Sequence, residues 1–245
     1  MKRNILAYLS SLVSILAIIV LSPQAIADDL KGNTWLYTQT GQSMKSMTAD
    51  KALQLLKEGN ARFTKGQAKN RDLLKQAKLT SAKGQYPFAL ILSCMDSRGS
   101  PELIFDQGIG DVFSVRLAGN VLDEDQLGGM EYATKAVGSH LIVVMGHTSC
   151  GAVAGSCSGV EMGSLTQLLQ KIQPAIEAVK TANKTPDLNC QDSKIVDAIA
   201  KQNVLNVMQD VKSKSKIISD LIDSGEVKIV GAMQDLKTGE VTFFE

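Results

Sequence analysis

Phe88 to Arg98 reads FALILSCMDSR, and the fold turns on how its first six residues are read. Nothing polar interrupts the run before Ser93. A strand with one wet face alternates apolar and polar residues, whereas a continuous apolar run needs cover on both faces, as in a parallel sheet. Two further runs of this kind follow, VFSVR (Val112 to Arg116) and HLIVVMG (His140 to Gly146). Helical patterning falls between and after them, over Pro101 to Asp106, Gln126 to Val137 and Cys150 to about Ser158. Strand–helix–strand alternation implies a parallel sheet with right-handed crossovers. VKIVGAM and VTFFE read as late strands joined by the turn DLKTGE. The expected class is therefore α/β, a mainly parallel central sheet flanked by helices.

Working outward, Thr48 is an expected N-cap for a helix whose stripe is Leu53, Leu56 and Phe63, with Gly59 near its end. A second helix is expected over Arg71 to Ala82. Downstream, Ser164 to Lys180 reads as one amphipathic helix and Thr185 to Gln191 as a loop. Ile195 to about Lys212 is helical, and Ile217 to Ile222 is a short helix ended by Gly225.

The N-terminus has another character. Lys2 and Arg3 precede an almost wholly apolar stretch from Ile5 to Leu21, and Ala25 to Ala27 puts small residues at a peptidase's spacing. This reads as a secretory signal over residues 1–27, with a retained membrane anchor as the alternative. Residues 28–47 are polar and read as an arm or linker, with Trp35, Leu36 and Tyr37 available to dock on a partner or on the domain. Residues 48–245 form the expected catalytic domain. Removing Lys2 and Arg3 leaves 24 basic against 25 acidic residues, a net charge of −1. No basic excess marks a nucleic-acid footprint. The expected location is periplasmic or secreted, with no membrane attachment once the signal is cut.

In open α/β sheets, sites form at the carboxyl ends of strands. Cys94 and Asp96 are two apart and face one way in extended chain, with Arg98 beside them. After the third run comes MGHTSCGAV, where His147 and Cys150 are three apart. A lone buried Cys is usually a small core residue. Here two thiols, an imidazole and a carboxylate collect at strand ends, an inventory that suits zinc. Seven residues separate Cys150 from Cys157, so Cys157 is expected inward on the same helix face as a buried thiol. Export raises a Cys157–Cys190 disulfide as the alternative. His140 opens a strand and is expected in an edge role.

CMDSR together with GHTSCGAV resembles the β-class carbonic anhydrases. ALQLLKEGNARF, PELIFDQGIGDVFSVRLAGN, EYA at Glu131, NV at Asn203 and GAMQDLKTGEV extend the resemblance over about Thr48 to Glu245. It implies the family's α/β domain, built as an obligate homodimer that often pairs into a dimer of dimers. The activity it implies is reversible hydration of CO2 to bicarbonate and a proton, by attack of zinc-bound hydroxide. One Zn²⁺ per chain would be held by Cys94, His147 and Cys150, with water in the fourth place. Asp96 would accept a hydrogen bond from that water while Arg98 fixes it. In a closed state Asp96 would instead become the fourth ligand. Gln85 matches the plant-like branch, where its amide binds CO2 or bicarbonate. Phe113, Leu117 and Tyr132 match pocket positions, some supplied by the partner subunit, and the backbone N–H of Gly151 would face substrate. Gly99 departs from the family, which has a small branched residue after the arginine. Other functions consistent with the site are hydrolysis of carbon disulfide or carbonyl sulfide, and non-catalytic zinc storage or redox sensing.

Overall fold

The computed structural model describes residues 34–244, so the expected signal over 1–27 and the start of the arm lie outside the described residues. Its centre is a five-stranded sheet in the order β2-β1-β3-β4-β5. The strands are β1 (Ala89–Ser93), β2 (Val112–Arg116), β3 (Leu141–His147), β4 (Lys228–Gln234) and β5 (Val241–Phe244). The first four are mutually parallel and β5 runs antiparallel to β4.

The apolar runs are continuous because β1 and β3 are buried along their whole length. Alternate side chains feed opposite layers. Ala89 and Ile91 meet Ala52, Leu53 and Leu56 of α2 (Ala49–Thr64), which follows the single helical turn α1 (Gly41–Met44). Leu90 and Leu92 share the other layer with Val204, Val207 and Val211. A third cluster gathers Cys94, Cys150, Val153, Ile172 and Ile199 at the carboxyl end of the sheet.

The remaining helices are α3 (Leu73–Lys83), α4 (Pro101–Ile104), α5 (Glu124–Glu131), α6 (Gly151–Cys157), α7 (Gly163–Gln170), α8 (Gln173–Asn183), α9 (Ser193–Lys214) and α10 (Lys216–Asp223). Thr48 caps α2 as expected, its side chain accepting from the Lys51 N–H. Gly59 in α2 permits a close crossing, since a Cβ there would lie 1.7 Å from the Phe105 carbonyl oxygen. The arm residues do not stand off. Trp35 N–H donates to the Asn70 carbonyl, Gln76 donates to the Tyr37 carbonyl, and Met47 is in the core.

Several expectations are corrected. The single helix over Ser164 to Lys180 is two helices, because Pro174 in the first turn of α8 supplies no N–H to the turn before it. The helix expected from Gln126 begins at Glu124, where Asp123 and Gln126 form a capping box, and widens into a π-helix over Tyr132–Val137. The helix at Pro101 ends at Ile104, and Asp106 takes a left-handed φ of 45°. Cys157 is not a buried thiol. It is half-buried and disulfide-bonded to Cys190, tying the end of α6 to the loop before α9. Among the described residues no helix is long and apolar enough to cross a membrane.

The bridge spans a sequence separation of 33. Chain-entropy arguments give such a closure about 3–4 kcal/mol. The double substitution Cys157→Ser/Cys190→Ser should lower the urea-unfolding free energy by about that amount. An unchanged midpoint would show that the bridge does not constrain the unfolded chain.

Candidate metal centre

The chain leaves β1 for β2 on one side and returns to β3 on the other. The carboxyl ends of β1 and β3 therefore flank a point where the winding reverses, the usual place for a site in an open sheet. Ser93 pairs with Met145, so Cys94 comes opposite Gly146, and His147 ends β3 one residue further on. Ser149 then adopts a φ of 54°, and its N–H donates to Asp197 Oδ1 at 2.7 Å. That turn returns Cys150 to the N-cap of α6. As a result the ligand atoms of Cys94, His147 and Cys150 lie within 4.8 Å of one another, with all three residues buried.

The donor set fits a metal ion. Nδ1–H of His147 donates to the Thr148 carbonyl at 2.9 Å, which fixes the ring and leaves Nε2 to bind. Nε2 is buried without a partner, an arrangement that costs free energy unless something uses its lone pair. The adjoining Cys150 thiol holds the Cys94 thiol down to about 4, helped by His147 and the Gly119 N–H. The adjoining thiolate, together with burial, pushes Cys150 up. Burial opposes a charge on His147, but the adjoining Cys94 sulfur and the bond to the Thr148 carbonyl outweigh this and raise its pKa. Two sulfurs and one imidazole nitrogen, with no fourth protein ligand in the cluster among the described residues, match an open zinc site.

Asp96 and Arg98 form a two-pronged ion pair, Nε to Oδ1 at 2.9 Å and Nη2 to Oδ2 at 2.7 Å. The Arg98 N–H adds a bond to Oδ1 at 3.0 Å. The Arg98 guanidinium holds the Asp96 carboxyl well below the usual carboxylate range. Arg98 is itself exposed.

Other expected site residues divide by position. Leu117 N–H donates to the Ser93 carbonyl, and its side chain packs against the cluster holding both cysteines. Gly151 opens α6 and is exposed. Gln85 precedes β1, at the end of the sheet opposite the ligands, and is exposed. Phe113 pairs with Leu90, about 13 Å of strand back from Cys94. Its ring meets that of exposed Tyr132 at 6.3 Å. Gln85, Phe113 and Tyr132 are thus not gathered at the ligands of their own chain. A cavity of about 610 Å³ beside Asn203 and Lys171 contains none of the three ligands.

Sequence reasoning missed the supports. Arg116 donates to the Cys94 carbonyl at 3.3 Å and the Asp96 carbonyl at 2.5 Å. Gly119 N–H donates to Cys94 Sγ at 3.3 Å, and the Gly119 carbonyl accepts from Asn203 Nδ2 at 2.9 Å. The one available signal was a guanidinium closing an otherwise uncharged strand, VFSVR.

An α/β chain with a Cys–His–Cys centre at its switch point and an ionised Asp–Arg pair beside it defines a class of zinc enzymes. The family described as carbonic anhydrase matches residues 89–241. Carbonic anhydrase 2 of Mycobacterium tuberculosis is 34% identical over 193 residues, covering 77% of this chain and 89% of that protein. A carbonic anhydrase of Mycolicibacterium smegmatis is 35% identical over 197 residues, covering 78% and 90%. A solved tetrameric β-carbonic anhydrase of Sordaria macrospora superposes with a TM-score of 0.61 at 26% identity, covering 69% of this chain and 84% of that one. The Coccomyxa β-carbonic anhydrase gives 0.58 at 25% identity, covering 76% and 82%. The chain belongs to the β-carbonic anhydrase family.

Titration with zinc against a chromophoric chelator should show one tight site per chain, lost in Cys150→Ser. Arg116→Ala should weaken it by about tenfold, the usual scale for an outer support. Affinity should fall as pH drops, because each ligand must first shed its proton. Tight binding surviving Cys150→Ser would remove this sulfur from the ligand set.

Proposed function

We propose that this chain catalyses the reversible hydration of CO2 to bicarbonate and a proton, with Cys94, His147 and Cys150 holding one zinc ion. The convergence of these three ligands beside an ionised Asp96–Arg98 pair carries the reading. When bound, zinc acidifies a water near neutral pH and so supplies the nucleophile. The residues of the chain do the rest. Asp96 keeps its charge through the neutral and mildly acid range, so its oxygens accept a hydrogen bond and aim the attacking lone pair. Arg98 fixes the carboxylate by both oxygens. Leu117 supplies an apolar wall for an apolar substrate, and the Gly151 N–H at the start of α6 offers a donor to the product oxyanion.

We further propose a homodimer, able to pair into a dimer of dimers. Strand β2 is a sheet edge, and the Phe113–Tyr132 pair lies on that side, away from its own ligands. A second chain docked there would bring Gln85, Phe113 and Tyr132 to the partner's metal centre. We also propose export to the periplasm or medium, a reading supported by the signal-like pattern of residues 1–27 in the sequence and by the Cys157–Cys190 bridge, since disulfides persist in oxidising compartments. A zinc-storage role has no use for the two-pronged Asp96–Arg98 pair.

Stopped-flow assay of the chain from Asp28 onward, with zinc content measured on the same sample, tests the reading. Rapid hydration near one zinc per chain is expected. Asp96→Asn should keep the zinc and lose about 10²-fold in kcat/KM, the lower range for a positioned proton-handling group. Full zinc without turnover at alkaline pH would overturn the assignment. Two thiolates cancel the charge of a dication, so activity should rise through mildly alkaline pH, with a midpoint above ~7. Because the Asp96 carboxyl is already ionised throughout that range, Asp96→Glu should leave the alkaline midpoint in place; a displaced midpoint would assign the titration to this carboxylate.

A further inference from the structure

Gly99 closes the turn that carries Asp96 and Arg98, its N–H donating to the Asp96 carbonyl at 3.1 Å. Glycine is not required there by the backbone, since Gly99 is absent from the positive-φ positions. What excludes a side chain is Gln234. A Cβ on Gly99 would lie 2.6 Å from Gln234 Oε1, while its next neighbours are no closer than 3.7 Å. Gln234 is 2% exposed and ends β4 opposite His147. Its own carbonyl accepts at 2.9 Å from the N–H of Thr148, the residue whose carbonyl fixes the His147 ring. The crevice that Gln234 shares with Cys94, Asp96 and His147 is too tight to hold water. Ser93 Oγ, in the same crevice, is buried without a partner, an unfavourable arrangement that ordinary core packing avoids.

We propose that Gln234 is a positioning residue: its backbone is tied to the His147 segment, its side chain is wedged beneath Gly99, and together they set the stand-off of the Asp96–Arg98 turn from the metal ligands. The side chain is buried, so any shift must be taken up by its neighbours, and its contact with Gly99 constrains the turn from below. Gly99 and Gln234 are thus a complementary pair, and the absence of a branched residue after Arg98 is matched by an amide on β4. The role in turnover rests on the CO2-hydration reading, whereas the packing relation does not.

A double-mutant cycle tests it, using Gly99→Ala, Gln234→Ala and the double variant in the full domain. Each is assayed for CO2 hydration, for zinc content and, after cobalt(II) substitution, for the visible spectrum that reports ligand geometry. Gly99→Ala should keep its zinc, shift the cobalt spectrum and lose about tenfold or more in kcat, as small misplacements of catalytic groups do. Gln234→Ala should shift the spectrum by freeing the turn. The double variant should lie nearer wild type than Gly99→Ala in both readouts. A Gly99→Ala protein matching wild type, or a double variant no better than Gly99→Ala, overturns the proposal. If Gly99→Ala fails to fold, Gln234→Ala decides alone: a wild-type spectrum and wild-type kcat sink it. Wild-type chain without hydration activity would refute the function reading, and the cobalt spectra would still score the packing relation.

Discussion

Strands β1 and β3 run parallel with Ala89 opposite Leu141 and Ser93 opposite Met145. That register is what the metal centre depends on. It places the residues that follow each strand at one end of the sheet, on either side of the point where the chain reverses its winding. A slip by one residue would shift the Cys94 and His147 segments along each other and reverse the facing of one strand's side chains relative to the other's. Both strands are buried on both sides, so a slip would exchange two packed layers at once and is strongly disfavoured. Ligand geometry here is therefore a consequence of core packing, fixed before any ion binds.

Bringing two sulfurs and an imidazole into a dry pocket is costly unless the charge is compensated. The surrounding groups show how that cost is limited. Cys94 Sγ receives a backbone N–H from Gly119, whose carbonyl is held in turn by Asn203 on α9. Arg116 grips the backbone on either side of Met95 without touching a ligand atom. His147 is oriented by a carbonyl rather than a carboxylate, so its orienting partner adds no negative charge to a site already holding thiolates. Of the carboxylates nearby, Asp96 arrives neutralised by Arg98 and Asp197 accepts the Ser149 N–H.

Much of this was legible in the sequence, for physical reasons that also explain what was not. FALILS and HLIVVMG could be read as strands because burial on both faces leaves a continuous apolar signature. Cys94, Asp96, His147 and Cys150 stood out because their chemistry has no structural use at strand ends. Illegible features depend on residues far apart in the chain. Whether Cys157 meets Cys190 depends on how α7 and α8 fold back, and that in turn depends on a break at Pro174 which hydrophobic periodicity alone conceals. The roles of Arg116 and Asn203 exist only once the loop through Gly119 is folded. Gln234 looked like one more residue of a late strand, and Gly99 like a loosened loop, until β4 paired with β3 and brought the amide beneath the glycine.

The turn from Met95 to Ser100 is anchored at both of its ends. On the near side, Arg116 and β1 hold Cys94. On the far side, α4 leads to Asp106, which is buried and paired with both Arg62 and Arg71. Gly59 lets α2 press against the Phe105 carbonyl just before it. Asp106 takes its left-handed φ within this grip, so the far anchor holds backbone as well as charge. Rigid anchors at both ends confine any movement to the few residues that carry Asp96 and Arg98. Along that short span one exposed ion pair works from above and one buried amide from below. Exposed pairs contribute little by themselves. The placement of Asp96 therefore depends more on what packs beneath the turn than on the salt bridge that first draws the eye.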